Sequence, residues 1–385
     1  MGKKLYNIFM IIFIITFIII FFGSIFDNKS LIVVTTPFLS IISLFIVGIL
    51  LIFIYRFIIK RVKKNISVKH EIIICSILGG VFLLLQLIYA FYMTRYPGWD
   101  WGNVYAAAKT FAEGSKDLVW WDYFKMFPNN NAIFYFETLI FKVLNVFGWL
   151  TIRKSIIIMV LINILFIDLS VLFLYLTVRN IFGKREAIFS LIMCILSYAF
   201  YCYIPVFYTD TLTMLFPILY MYLYSKYLKD NKNKNLILIS LFSIIGYKFK
   251  PTTIIATVAI FIDLLLRKNI KKNCKSYISF CLSFIIIFLL ISFVEVKFTI
   301  MPYDINNNNQ EIPFTHWVMM GMTERNSYVD GRKWIGWYNP DSLDYTLKYK
   351  TTDERKKANI KKIKEQYQDM GFMNYLYFLY RKALF

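Results

Sequence analysis

Apolar runs close to twenty residues long recur along this chain, and most of the turns between them carry lysine or arginine. A backbone in hydrocarbon has no water to bond to, so such runs must close their own hydrogen bonds as helices. About twenty apolar residues are what one helix needs to cross a bilayer. The chain has 385 residues, 58% of them hydrophobic and only 17% charged, a balance that excludes a soluble globular domain. The reading is an all-α polytopic membrane protein whose first partner is the lipid bilayer.

Sidedness follows from charge. Lys3 and Lys4 precede an apolar run at 5–26 that lacks a small-residue cleavage site, so it reads as an uncleaved first helix with its N-terminus inside. A second run, 31–59, ends in Lys60-Arg61-Val62-Lys63-Lys64, a cytoplasmic mark. Further runs lie at 71–93, 155–178, 187–205, 212–224, 236–247, 251–266 and 277–293, for about nine spans. With Arg179, Lys184, Arg185, Lys226, Lys229, Lys232, Lys234, Arg267, Lys268, Lys271 and Lys272 inside, the formal charge of +21 needs no nucleic-acid partner. Three regions result: an N-terminal transmembrane hairpin at 1–70, a transmembrane core at 71–297 and a polar external segment at 298–385. Within the last, 306–309 reads as a disordered loop tip. Its end at 375–385 is expected to lead into further spans.

One long loop, 94–154, breaks the rhythm. The stretch 132–149 is apolar enough to tempt a crossing, but Glu137 and Lys142 interrupt it. A crossing there would also move every later basic loop to the opposite face. An amphipathic helix lying in the interface keeps the charges consistent, so the loop is expected to hold external juxtamembrane helices. It opens with Arg95-Tyr96-Pro97-Gly98-Trp99-Asp100-Trp101-Gly102. Indole rings favour the membrane boundary. Trp99 and Trp101 would hold Asp100 at fixed depth and, by excluding water, raise its pKa, as suits a general base. The plainer account makes Asp100 the N-cap of a helix over 102–113.

Other chemistry-bearing residues collect at the same outer level. Asp210 follows the run at 187–205. Lys248 and Lys250 interrupt an apolar hairpin at its tip, where ammonium groups suit a phosphate at headgroup depth or simply snorkel to lipid. Arg153 stands at the start of the next span. Asp168, in mid-span, calls for a hydrogen bond to a neighbouring helix. Two histidines and five cysteines without ligand spacing give no histidine-rich metal site and no disulfide framework.

Taken in order, Trp99-Asp100-Trp101, Pro128-Asn129-Asn130, Tyr208-Thr209-Asp210, Lys250-Pro251-Thr252 and Thr315-His316-Trp317 resemble the GT-C membrane glycosyltransferases, those of the bacterial cell envelope above all. The group includes protein O-mannosyltransferases, lipid A aminoarabinose transferases and oligosaccharyltransferases. The resemblance covers roughly 89–344, with the first two spans as an addition. It implies a GT-C-like bundle and a sugar donor carried on polyprenyl phosphate. The acceptor would be an envelope polymer, lipid or protein. By the same resemblance Asp100 is the base that takes the acceptor proton, in an inverting reaction on the outer face of the cell membrane. Arg153, Lys248 and Lys250 would hold the leaving phosphate. Asn129, Asn130, His316, Trp99 and Trp101 would contact substrate. Asp210 would orient the acceptor or support a divalent cation, Mg or Mn, with a metal-independent reaction favoured. The rival reading is a membrane transporter or lipid-linked saccharide flippase, for which Asp168 is the main support. Against it stands the concentration of unusual residues at one face.

Overall fold

The computed structural model describes residues 2–26, 37–61, 66–117, 119–267, 274–305, 307–326, 333–336 and 338–384. The basic positions 62–64 and 268–272 and the tip residue Asn306 lie outside them. The described chain is almost wholly helical. It opens with α1 (Gly2–Phe26), α2 (Pro37–Arg61) and α3 (Val68–Met93), followed by short helices α4 (Trp99–Ala112), α5 (Trp121–Met126) and α6 (Asn131–Val146). After α7 (Ile152–Ile181) come α8 (Lys184–Leu196), single turns α9 (Ala199–Cys202) and α10 (Thr209–Leu212), then α11 (Leu215–Asp230) and α12 (Asn233–Phe249). The remainder is α13 (Ile254–Arg267), α14 (Cys274–Lys297), α15 (Phe314–Met320), α16 (Pro340–Leu347) and α17 (Thr352–Leu384). An antiparallel ribbon, Glu324–Asn326 against Lys333–Ile335, sits between α15 and α16.

The apolar runs expected to span are largely helical where described, although 187–205 breaks after Leu196 and ends in a turn and 212–224 turns at 213–214, and length divides the helices further. Four stretches are long and apolar enough to cross a membrane: Tyr6–Gly23, Val68–Met93, Ile152–Ile181 and Cys274–Lys297. The helices α8, α11 and α12 have 13, 16 and 17 residues. At 1.5 Å per residue they are about 20–26 Å long, short of the roughly 30 Å of hydrocarbon. Among the described residues, then, four of the about nine expected spans have full membrane length, and the other runs form shorter helices.

The chain forms two compact units, Ile54–Phe124 with Pro128–Pro302, and Met1–Phe53 with Lys125–Phe127 and Tyr303–Phe385. In the first, Leu219, Tyr220, Leu223, Leu236, Ile239, Ile260 and Leu264 form the core between α11, α12, α13 and α14. Gly246 lets α12 approach α11, since a Cβ there would stand 3.0 Å from the Phe216 ring. Polar clamps fix the rest. Glu71, buried in the first turn of α3, accepts from the Arg179 guanidinium (Nη2 at 3.0 Å), from Tyr175 at 2.6 Å and pairs with Lys184 at 3.2 Å. The start of α3 is thus bound to the end of α7, and the two helices run antiparallel. The segment between them, 94–151, therefore begins and ends at the same end of the α3–α7 pair.

Between those points α6 packs through Phe136 against Phe166 in the middle of α7, Phe207 before α10 and Phe249 at the end of α12. In the middle of α7 Asp168 has Gln86 of α3 as its polar neighbour, yet among the described residues Asp168 Oδ1 and both Gln86 amide atoms have no partner in hydrogen-bond geometry.

The second unit is tied by side chains. Arg355 donates to the carbonyls of Gln310, Tyr349 and Glu311. The run 307–309, expected to be disordered, is instead held: Asn308 donates to the Lys125 carbonyl at 2.7 Å and the Asn309 carbonyl accepts from Thr352 at 2.7 Å. Helix α17 bends at Gly371, whose φ of 68° and ψ of 166° are open to glycine. The face of α1 at Gly23 meets Tyr380 and Leu384 of α17.

Candidate functional site

Chain direction changes sharply where α3 gives way to α4. The Gly98 carbonyl accepts from Gly102 at 2.9 Å, and a Cβ at Gly102 would stand 3.0 Å from the Pro97 carbonyl oxygen, so the loop folds tightly over the helix start. Trp99 adopts a φ of 53°, a conformation that costs a bulky residue of order 1 kcal/mol and clusters at functional sites. The N-cap is Gly98, which settles the alternative against Asp100 as cap. Asp100 lies in the first helical turn, where free N–H groups favour an anion.

The expected indole clamp is not what holds Asp100. Trp99 is 96% exposed, Trp101 is buried with its Nε1 unpartnered, and Asp100 itself is exposed. Its support is a tyrosine. Tyr123 of α5 donates to Asp100 Oδ1 at 3.0 Å, and Asn130 Nδ2 donates to the Tyr123 oxygen at 2.6 Å. Asn130 Oδ1 accepts in turn from Tyr208 at 2.9 Å, and Asn129 approaches the same oxygen at 3.4 Å. Asn130 is buried, and burial pushes both the Tyr123 and Tyr208 phenols well above their ordinary pKa, with Asp100 adding to the rise. Both phenols therefore remain protonated donors.

Two residues beyond Tyr208, Asp210 pairs with the Lys250 ammonium. Lys250 caps α12 in an extended conformation, and Pro251 opens the next turn by removing an N–H that a helix start does not need. The segment carrying Tyr208 is anchored from below by Asn163 of α7, buried, whose Nδ2 reaches the carbonyls of Tyr203, Ile204 and Val206 at 2.9–3.0 Å. That anchoring satisfies backbone groups which no regular helix pairs. Asp100 and Asn130 thus stand on one hydrogen-bonded chain that ends at Tyr208, and the separate Asp210–Lys250 pair begins two residues further along.

The other expected site residues lie elsewhere. Lys248 is engaged by Glu295 of α14 at 2.5 Å and lies over the Phe288 ring, so it is not the partner of Lys250. Arg153 lines a cavity between α3 and α7. His316 belongs to the second unit and is 1% exposed; its Nδ1 meets the Thr346 hydroxyl at 2.9 Å, and burial lowers its pKa to about 4. It is a packed core histidine with no face left for substrate. Glu137, set down as the polar break in an interfacial helix, is fully buried without a partner, and burial raises its pKa well above the usual carboxylate value.

Sequence reasoning missed Tyr123, Asn163 and Glu295. Tyr123 lies in an aromatic stretch with nothing to single it out, whereas Asn163 was a polar residue inside an apolar run and signalled its own need for partners.

A divalent cation does not fit this donor set. The Lys250 ammonium occupies the Asp210 oxygen a metal would need, and among the described residues no group of three histidines, cysteines or carboxylates converges.

Long apolar helices joined through buried polar clamps, with a polar and aromatic site gathered at one end, define a polytopic helical integral membrane protein. The chain belongs to the family of conserved hypothetical integral membrane proteins, which it matches over residues 1–384. No curated protein and no solved structure matches it.

Proposed function

We propose that the protein is an inverting glycosyltransferase of GT-C type. It moves a sugar from a polyprenyl-phosphate donor to a hydroxyl of an envelope acceptor, at the outer face of the cell membrane. The observation that carries the reading is the chain Asp100–Tyr123–Asn130–Tyr208, with Asp210 and Lys250 beside its far end.

In this scheme an acceptor hydroxyl binds at the exposed oxygen of Asp100. The hydroxyl oxygen attacks the anomeric carbon, and its proton passes to Asp100. The bond from the anomeric carbon to the phosphate oxygen breaks, and the phosphate leaves with that electron pair. Tyr123 donates to the other Asp100 oxygen and so fixes the carboxylate's orientation. Lys250, oriented by Asp210, would supply the ammonium that stabilises the charge growing on the phosphate. No metal enters the scheme.

The test is transfer from a panel of polyprenyl-phosphate sugars by purified protein, compared with Asp100→Asn. General-base loss lowers rates by about 10²–10⁴-fold. Because Gly98 caps the helix, the variant should fold as the parent does. Transfer at the parental rate by Asp100→Asn, or none by either protein across the panel, would sink the reading. The unsatisfied Asp168 and Gln86 within the membrane favour a transporter or flippase as second reading. Loss of substrate movement across vesicles in Asp168→Asn, with no transfer detectable in the parent, would establish it.

A further inference from the structure

Helices α3 and α7 are clamped together at Glu71 and Arg179, yet at their opposite ends they enclose a cavity of about 560 Å³. Its floor is apolar and buried, made by Ala90, Ile156 and Val160. Its rim opens to the surroundings through side chains such as Leu161, 44% exposed. At its polar end are two arginines, Arg95 just past the end of α3 and Arg153 in the first turn of α7. Among the described residues neither makes a hydrogen bond or an ion pair, although both help to line the same space. An apolar groove with two unpaired guanidiniums at its headgroup end matches one chemistry: a hydrocarbon chain joined to an anionic phosphate. Guanidinium offers paired N–H donors in the geometry of phosphate oxygens, and basic pockets between transmembrane helices bind anionic headgroups.

We propose that this groove binds an anionic phospholipid of the surrounding bilayer, its phosphate between Arg95 and Arg153 and an acyl chain on the Ala90–Ile156–Val160 floor. The lining side chains left exposed, Phe91, Ile157 and Leu161, are apolar and sit on helices of membrane length, so the occupant is drawn from the bilayer, where phospholipids are the prevailing phosphate amphiphiles. The proposal stands apart from the transfer reaction and returns Arg153 to a different phosphate from the one the sequence suggested.

Retention of labelled phosphatidylglycerol by the full-length protein in neutral-detergent micelles tests it, beside phosphatidylcholine with the same chains, a polyprenyl phosphate and inorganic phosphate. Phosphatidylglycerol should bind near one per chain and well above phosphatidylcholine. The double variant Arg95→Gln/Arg153→Gln, at exposed positions, should weaken retention by about ten-fold or more. Ala90→Leu, which fills the floor without touching charge, should also lower it. Equal retention of phosphatidylcholine, or a double variant matching the parent, overturns the proposal. So does displacement by inorganic phosphate alone, which marks a free-anion site. Preference for the polyprenyl phosphate overturns it as well and restores the donor role to Arg153. None of these readouts needs transfer to occur, so the outcome is separable from that of the glycosyltransferase reading.

Discussion

The phenol of Tyr208 donates a 2.9 Å hydrogen bond to Oδ1 of Asn130, a residue 78 positions earlier in the chain. That contact joins the turn before α10 to the layer of α4, α5 and α6. It ties Asp100, through Tyr123 and Asn130, to the segment that carries Asp210 two residues beyond Tyr208.

Tyr123→Phe removes the donor to Asp100 and leaves Asn130 Nδ2 without its acceptor. A hydrogen bond to a charged group contributes about 1.5–3 kcal/mol, so transfer should fall roughly ten- to a hundred-fold, mainly in kcat. Far-UV circular dichroism should be unchanged. An unaltered kcat would remove Tyr123 as the group that orients Asp100.

The two hairpin lysines should separate. Lys250→Gln should cost about ten- to a hundred-fold in donor affinity or rate. Lys248→Gln should spare transfer and lower thermal stability, because it strands Glu295. Equal losses of activity in both variants would contradict the distinct pairings.

Glu71→Ala leaves Arg179, Lys184 and Tyr175 facing a void. Breaking a fully buried ion pair costs about 3–5 kcal/mol; here the figure should be smaller, since the Arg179 side chain keeps 35% of its exposure. Glu71→Gln, which retains an acceptor for Tyr175, should restore part of the loss. Thermal unfolding in detergent is the measurement, and a parental melting temperature for Glu71→Ala would show that the clamp contributes nothing.

His316 gives a pH signature. Its native pKa is depressed to about 4 from the usual 6.5, so as pH falls from 6.5 the unfolded chain takes up a proton that the native one refuses. Stability should therefore fall with falling pH between about 6.5 and 4, by up to roughly 1.4 kcal/mol per pH unit. His316→Gln should flatten that limb in urea titrations. A slope identical to the parent's would mean that the ring is not buried neutral.

Glu137 acts in the opposite direction. Its raised native pKa keeps the carboxyl protonated, while the unfolded chain ionises above about 4.5. Stability is then lost as pH rises from 4.5 towards the native pKa. Glu137→Gln, neutral at every pH, should remove that loss and be at least as stable as the parent at pH 7. A variant clearly less stable than the parent at pH 7 would show that the ionised carboxylate is needed.

What the sequence determined by itself was whatever local composition dictates. Runs of apolar residues must be helices in lipid, so the all-helical membrane class was readable from hydropathy alone. The charges at Asp100, Asp210 and Lys250 were readable as candidates because charge is costly beside hydrocarbon, whereas Asn130 entered only through the resemblance. Their partners were not readable. Lys248 and Lys250 are two residues apart, yet one turns to Glu295 and the other to Asp210, because the α12 helix ends between them and sends their side chains to different neighbours. By resemblance His316 was expected to contact substrate, and only the tertiary structure shows it packed in the core against Thr346. Tyr123 carries no signal in its own neighbourhood, since a phenol matters here only through the carboxylate that folding brings 3.0 Å away. Hydropathy acts on each residue where it stands, whereas hydrogen bonds and ion pairs act between residues far apart in the chain, and tertiary structure alone decides which of them meet.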